Sequence, residues 1–173
     1  KSTGAISLLD VANGTGGFVI MGETAGDRSG TSVSSAGDVN GDGLADMIVG
    51  ATRADRDGVV DAGRSYVVYG KTDTTGVDLS AIANGVGGFV IYGQSADDYS
   101  GDSVSYAGDI NGDGFADLLV SAHGADPAGG AGAGKSYVIF GGSQFATTVD
   151  RLGTTAAETL TGNTAAETFV AGD

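Results

Sequence analysis

An all-β chain of repeated four-stranded antiparallel units is what this sequence predicts, and three observations carry the prediction. Residues 17–70 align without a gap on residues 88–141, an offset of 71 (88 − 17). Each copy holds four short apolar or alternating runs, 17–22, 31–36, 46–51 and 64–69, then 88–93, 102–107, 117–122 and 135–140. The 33 Gly and single Pro supply many turns, and helical periodicity never runs far without meeting a Gly. Four antiparallel strands per unit, repeated side by side, is the blade pattern of a β-propeller.

Taken in order, residues 1–4 read as the end of a preceding repeat. Lys1-Ser2-Thr3-Gly4 resembles Lys71-Thr72-Asp73-Thr74-Thr75-Gly76, which directly follows a strand. The expectation is a chain cut at a blade boundary. Blade 1 is expected over 5–75 and blade 2 over 76–146. Gly17-Phe18-Val19-Ile20 matches Gly88-Phe89-Val90-Ile91, and Ser65-Tyr66-Val67-Val68 matches Ser136-Tyr137-Val138-Ile139. Ser32-Val33-Ser34 and Ser103-Val104-Ser105 alternate polar and apolar, as half-exposed strands should. Residues 147–173 change character. Thr155-Ala156-Ala157-Glu158-Thr159-Leu160 returns as Thr164-Ala165-Ala166-Glu167-Thr168-Phe169, a period of nine (164 − 155). That period fits a parallel β-roll, and a Thr/Ala/Gly linker fits it as well.

Between the second and third strands of each copy stands Asp-x-Asn-x-Asp-Gly-x-x-Asp. Oxygen-bearing side chains at alternate positions can turn toward one point, and the Gly after the third of them permits the positive φ of a tight wrap. Hard cations such as Ca²⁺ take several oxygens from carboxylates, amides and carbonyls. The first candidate site is Asp38, Asn40, Asp42 and Asp46 with the carbonyl of Leu44. The second is Asp109, Asn111, Asp113 and Asp117 with the carbonyl of Phe115. Two metal-free Asx/Gly turns are the plainer alternative. An EF-hand is excluded by the twelfth positions, Val49 and Val120, which lie in strand-like runs where that motif needs a Glu and a helix.

Charge narrows the partners. With 22 acidic and 8 basic residues the formal charge is −14. That disfavours nucleic acid and anionic membranes, and two Ca²⁺ would bring it to −10 (−14 + 4). No apolar run approaches the roughly 20 residues of a membrane-spanning helix. Cys is absent, so disulfides and thiolate metal sites are excluded.

The stretch Ser32 to Ala51, repeated from Ser103 to Ala122, resembles the FG-GAP repeats of the integrin α-chain propeller and its bacterial relatives. The resemblance covers residues 5–146 and implies a larger, seven-bladed propeller with Ca²⁺ in the strand-to-strand loop. Two departures touch strand-edge packing. Ser29 and Ser100 stand where the family has an aromatic before Gly30 and Gly101. Thr52 and His123 stand where it has Pro. The tail resembles degenerate RTX nonapeptides, which implies export by type I secretion from a Gram-negative bacterium.

The function expected is therefore a calcium-binding, non-enzymatic structural or adhesive module of a large secreted or cell-surface bacterial protein. Adhesin, surface-layer, matrix and filament roles are all compatible. Its partners would be further blades of a parent chain or identical chains. Two alternatives stay open: the propeller accessory of an extracellular hydrolase, and a ligand-recognition propeller binding an extracellular protein or glycan through 53–63 and 124–134, the segments that differ most between copies. Against an enzyme stand the single His, His123, and the lack of any Gly-x-Ser-x-Gly elbow. Asp97-Asp98 and Asp55-x-Asp57 read as loop acids.

Overall fold

The computed structural model describes residues 4–127 and 130–145. The nine-residue period of the tail lies outside them. Among the described residues nine strands form: β1 Ile20–Met21, β2 Ser29–Gly37, β3 Asp46–Ala51, β4 Arg64–Val68, β5 Val77–Asp78, β6 Gly88–Tyr92, β7 Val104–Gly108, β8 Asp117–Ala122 and β9 Lys135–Ile139. Two five-residue helices, α1 Leu8–Ala12 and α2 Leu79–Ala83, were not expected. Each is little more than one turn, too short for periodicity to mark. For α2 the start is readable in hindsight, because Asp78 caps it by accepting from the N–H of Ser80 at 2.9 Å.

The strands form a four-stranded antiparallel sheet, β2-β3-β4-β6, a three-stranded antiparallel sheet, β7-β8-β9, and a parallel pair, β1-β5. Mostly β with propeller-like sheets is as expected; no sheet closes on itself among the described residues. The composition of the sheets corrects two expectations. Residues 17–22 do not open the first sheet. Its fourth strand is β6, from the second repeat, with Tyr66 opposite Val90 and Val67 opposite Phe89. So the first sheet runs from 29 to 92 and crosses the boundary expected at 75. The cause is α2, which turns the chain back after β4 and lays β6 along it. Likewise 88–93 does not open the second sheet, which has three strands rather than four among the described residues.

Directly opposed residues share a face, so the register sorts the core. Val49, Tyr66 and Val68 face one way and pack with Leu79 and Ile82 of α2. Ile48 and Val67 face the other way, against Val104, Leu118 and Val120 of the second sheet. Shifted by one repeat, Val49 becomes Val120. The same face of each blade thus meets the opposite face of the blade before it.

The sheets approach closely at Gly50. A Cβ there would lie 2.0 Å from the carbonyl oxygen of Gly101 and 2.4 Å from Ser32 Oγ. Ser32 Oγ donates to that same carbonyl at 2.7 Å. Gly50→Ala is therefore expected to force the sheets apart and to destabilise by about 2 kcal/mol or more. Ser32→Ala, which only removes a hydrogen bond, should cost about 1 kcal/mol. Denaturant midpoints of the two variants check this, and equal midpoints would refute the close-approach argument.

Candidate metal centres

Each expected site is a loop between paired strands, β2 and β3 for 38–45, β7 and β8 for 109–116. Asp38 organises the first. Its Oδ1 accepts from the N–H groups of Gly41 at 2.7 Å and Asp42 at 3.0 Å, and its Oδ2 from Gly43 at 2.9 Å. Gly41 and Gly43 stand at φ 78° and 86°, which bends those N–H groups inward. Asn40 Oδ1 accepts from the N–H of Asp42 at 3.0 Å, and Asn40 Nδ2 donates to Asp42 Oδ2 at 3.0 Å. Asp42 Oδ1 accepts from the N–H of Leu44 at 2.8 Å.

The second loop repeats the first bond for bond. Asp109 accepts from Gly112, Asp113 and Gly114 at 2.7, 3.1 and 2.9 Å. Asn111 Oδ1 accepts from the N–H of Asp113 at 3.0 Å, Asn111 Nδ2 donates to Asp113 Oδ2 at 2.8 Å, and Asp113 Oδ1 accepts from Phe115 at 2.9 Å.

The fourth acidic residue plays a part the sequence did not reveal. Asp46 is buried, and its two oxygens accept from the N–H groups of Val39 at 2.9 Å and Gly70 at 2.8 Å. Asp117 is buried too and accepts from Ile110 at 2.7 Å and Gly141 at 2.9 Å. Each carboxylate ties the loop to the start of its own strand and to the end of the next. Gly70 and Gly141 are the partners sequence reasoning missed. The signal was there: both copies place a Gly 24 residues after this Asp (70 − 46; 141 − 117). Only Gly fits, since a Cβ on Gly70 would meet Leu44 Cβ at 2.6 Å and one on Gly141 the carbonyl oxygen of Ala116 at 2.3 Å.

The donor set suits a hard cation: three carboxylates and one amide per loop, all oxygen donors. A carboxylate has about four lone-pair sites. The described bonds occupy three on Asp38 and two each on Asp42 and Asp46, so acceptor capacity remains on every one. Burial pushes the Asp46 carboxyl above its ordinary 3.8. The N–H groups of Gly70 and Val39 pull it back, and the charges of Asp42 and Asp38 push it up again. Three carboxylates close enough to repel are what a divalent ion would relieve. Among the described residues no three acidic or histidine side chains close on one point at metal-binding distance. The hydrogen bonds above hold these carboxylates on backbone N–H groups instead.

Comparison with known protein families matches the FG-GAP repeat at residues 29–68 and 100–139. The chain carries two FG-GAP repeats. Each repeat as matched takes in three strands and their loop, β2 to β4 and β7 to β9, and leaves out β6. No curated protein is similar enough to the chain to count as a match. FG-GAP repeats form β-propeller modules, typically non-enzymatic and typical of extracellular proteins. Among the described residues no helix is long and apolar enough to cross a membrane.

The remaining polar candidates take structural places. His123 is exposed, stacked on Tyr99 with ring centroids 5.4 Å apart, and its Nδ1 lies 3.4 Å from Asp102 Oδ2. Asp55 closes its loop by accepting from the N–H of Asp61 at 2.9 Å, and buried Asp98 accepts from Ser95 at 3.0 Å.

Asp46→Asn keeps one acceptor and sets an amide N–H against a backbone N–H. It is expected to destabilise by about 2 kcal/mol, within the range for a buried donor left unpaired. Gly70→Ala should lower the melting temperature by a comparable amount, through overlap with Leu44 and Ala45. Circular dichroism melts in chelator give both values, and wild-type melting of either variant would remove Asp46 from its anchoring role.

Proposed function

We propose that this chain is a calcium-stiffened, non-enzymatic propeller module of a secreted or cell-surface bacterial protein, serving adhesion, a surface layer or a filament. The observation that supports it is the repetition of one oxygen-donor loop, hydrogen bond for hydrogen bond, at the same place in two sheets. In each, Asp38 or Asp109, Asn40 or Asn111, Asp42 or Asp113, and Asp46 or Asp117 would offer side-chain oxygens, and Leu44 or Phe115 a carbonyl. Ca²⁺ supplies charge neutralisation at a loop where like charges crowd. An ion bound only by the folded chain stabilises it by RT ln(1 + [L]/Kd), about 2.7 kcal/mol at a hundred times Kd. Extracellular modules of this kind work at 10⁻⁴–10⁻³ M Ca²⁺. Export by type I secretion from a Gram-negative bacterium rests on the tail's likeness to RTX repeats.

Titration calorimetry of chelator-treated protein is expected to show two calcium sites. Asp42→Ala with Asp113→Ala should abolish the heat. Full heat in that double variant, or none in the parent, would end the proposal.

The raised pKa of Asp46 adds a pH signature. Folding raises this pKa, so the metal-free chain gains stability as Asp46 takes up its proton and loses that contribution as pH rises through the folded value. Calcium needs the ionised carboxylate, so its binding falls over the same interval, above the ordinary 3.8. The Asp46 contribution, read as the difference between the parent and Asp46→Asn melts across pH, should therefore slope in opposite senses with calcium and with chelator. Parallel slopes would contradict the assignment of Asp46 as a ligand.

A further inference from the structure

The two candidate loops belong to different sheets, yet hydrogen bonds run from one to the other. In the second loop the peptide unit joining Phe115 to Ala116 has two working ends. Its carbonyl is a candidate ligand of that loop. Its N–H, on the opposite side of the planar group, donates to the Asp38 carbonyl of the first loop at 3.2 Å. The peptide unit joining Asp38 to Val39 continues the line. Its carbonyl is that acceptor, and its N–H donates to Asp46 Oδ2 at 2.9 Å. Two peptide groups thus lead from a candidate ligand oxygen of one loop to a candidate ligand oxygen of the other.

A second thread runs beside the first. Asp117, another candidate ligand of the second loop, accepts from the N–H of Gly141 at 2.9 Å. The N–H of the next residue, Gly142, donates to the Val39 carbonyl at 3.0 Å. The Asp38 and Val39 carbonyls, successive along the first loop, are therefore both held by segments tied to candidate ligands of the second.

Packing closes the space around these threads. The Phe115 ring stands against Gly41, where a Cβ would lie 2.6 Å from it. A Cβ on Gly37, at the entrance to the first loop, would lie 2.6 Å from Ala116 Cβ and 2.9 Å from the Tyr106 ring. Val39 and Ala116 are buried in the same core between the sheets. At this contact neither loop has room to shift its backbone without moving the other.

We propose that the two loops bind divalent cations cooperatively, with the peptide unit 115–116 as the coupling element. This inference rests on the calcium reading of the loops and adds regulation to it. A loop that closes on an ion loses backbone freedom, and that loss opposes binding. Closing the second loop fixes the Phe115 carbonyl, and with it the Ala116 N–H and the Asp38 carbonyl that receives it. The first loop then has less freedom left to lose, so its own ligands close at lower cost. Linkage makes the gain in affinity equal in the two directions. Repulsion between two divalent ions works against this gain, and the sign of the measured coupling tells which of the two is larger.

Titration calorimetry of the 173-residue chain with Ca²⁺, set against the single variants Asp42→Ala and Asp113→Ala, tests it. Each variant leaves the donor set of one loop whole. In the parent, the second ion should bind about five-fold more tightly, or better, than the same loop binds it in the single variant. Ala116→Pro keeps the Phe115 carbonyl and removes the N–H that reaches Asp38, so it should take up two ions without coupling. Magnetic resonance decides the matter should Ala116→Pro fail to fold. In Asp42→Ala the amide proton of Val39 should shift as the second loop fills, and in Asp113→Ala that of Ala116 should shift as the first loop fills. Independent sites in the parent, or negative coupling, overturn the inference and leave the calcium reading standing. So do Val39 and Ala116 amides that stay silent, or full coupling in a folded Ala116→Pro. No calcium heat in the parent ends both.

Discussion

The carboxylate of Asp46, and of Asp117 after it, is the constraint on which each blade depends. It is buried at the first residue of the central strand and accepts one N–H from the loop before that strand and one from beyond the end of the next. A single side chain thereby fixes where β3 begins, how the 38–45 loop leaves β2, and where the segment after β4 must run. A buried carboxylate without such partners would be costly. With them it is a rigid corner, and Gly70 is required because the chain passes too close for a side chain.

Much of this was legible in the sequence, for physical reasons that differ by element. The strand runs at 46–51 and 64–69 are apolar, β-branched and bounded by turn residues, so local preference and tertiary demand agree. The loops were legible because Asp and Asn two residues apart, with interleaved Gly, leave few conformations that satisfy their backbone N–H groups. The sheet membership of 88–92 was not legible. A strand carries its period in its own residues but carries little record of which edge it joins. The repeat of 71 residues also says nothing about where within it a sheet begins. Asp46 was placed in the loop by its spacing, yet its second partner lies 24 residues on, beyond any local pattern.

A second device ties the residue after a repeat's first apolar segment to the sheet that follows, and it is built twice with different charge. Glu23 Oε2 accepts from Arg64 Nη1 at 2.7 Å and from Tyr66 Oη at 2.6 Å. One repeat on, Gln94 Oε1 accepts from Lys135 Nζ at 2.9 Å and Tyr137 Oη at 3.2 Å. In the second copy the acceptor sits just after β6, the outer strand of the first sheet, and the donors lie on β9 of the second; in the first copy the acceptor follows β1 and the donors lie on β4. The geometry survives the exchange of an ionised pair for a singly charged one, so the contact does not depend on both partners being charged. In the first copy burial and Glu23 push the Tyr66 phenol well above its ordinary value, so it remains a donor throughout the working range.

The two loops, alike in their internal bonds, are unlike in their surroundings, and the difference follows from the stacking of blades. The Phe115 ring lies over Gly41, where a Cβ would meet it at 2.6 Å. The Asp38 carbonyl accepts from the N–H of Ala116 at 3.2 Å, and the Val39 carbonyl from Gly142 at 3.0 Å. Asn40 is buried in consequence, while Asn111, its counterpart, stands exposed. The second blade therefore covers Asn40 in the first loop, while the first blade touches only the end of the second loop, at Phe115 and Ala116, and leaves Asn111 open. Whatever orders the loop at 109–116 stiffens Phe115 and Ala116, and through them the backbone of Asp38 and Val39. The coupling is reciprocal: ordering either loop favours order in the other, because the second blade lays its loop against the first.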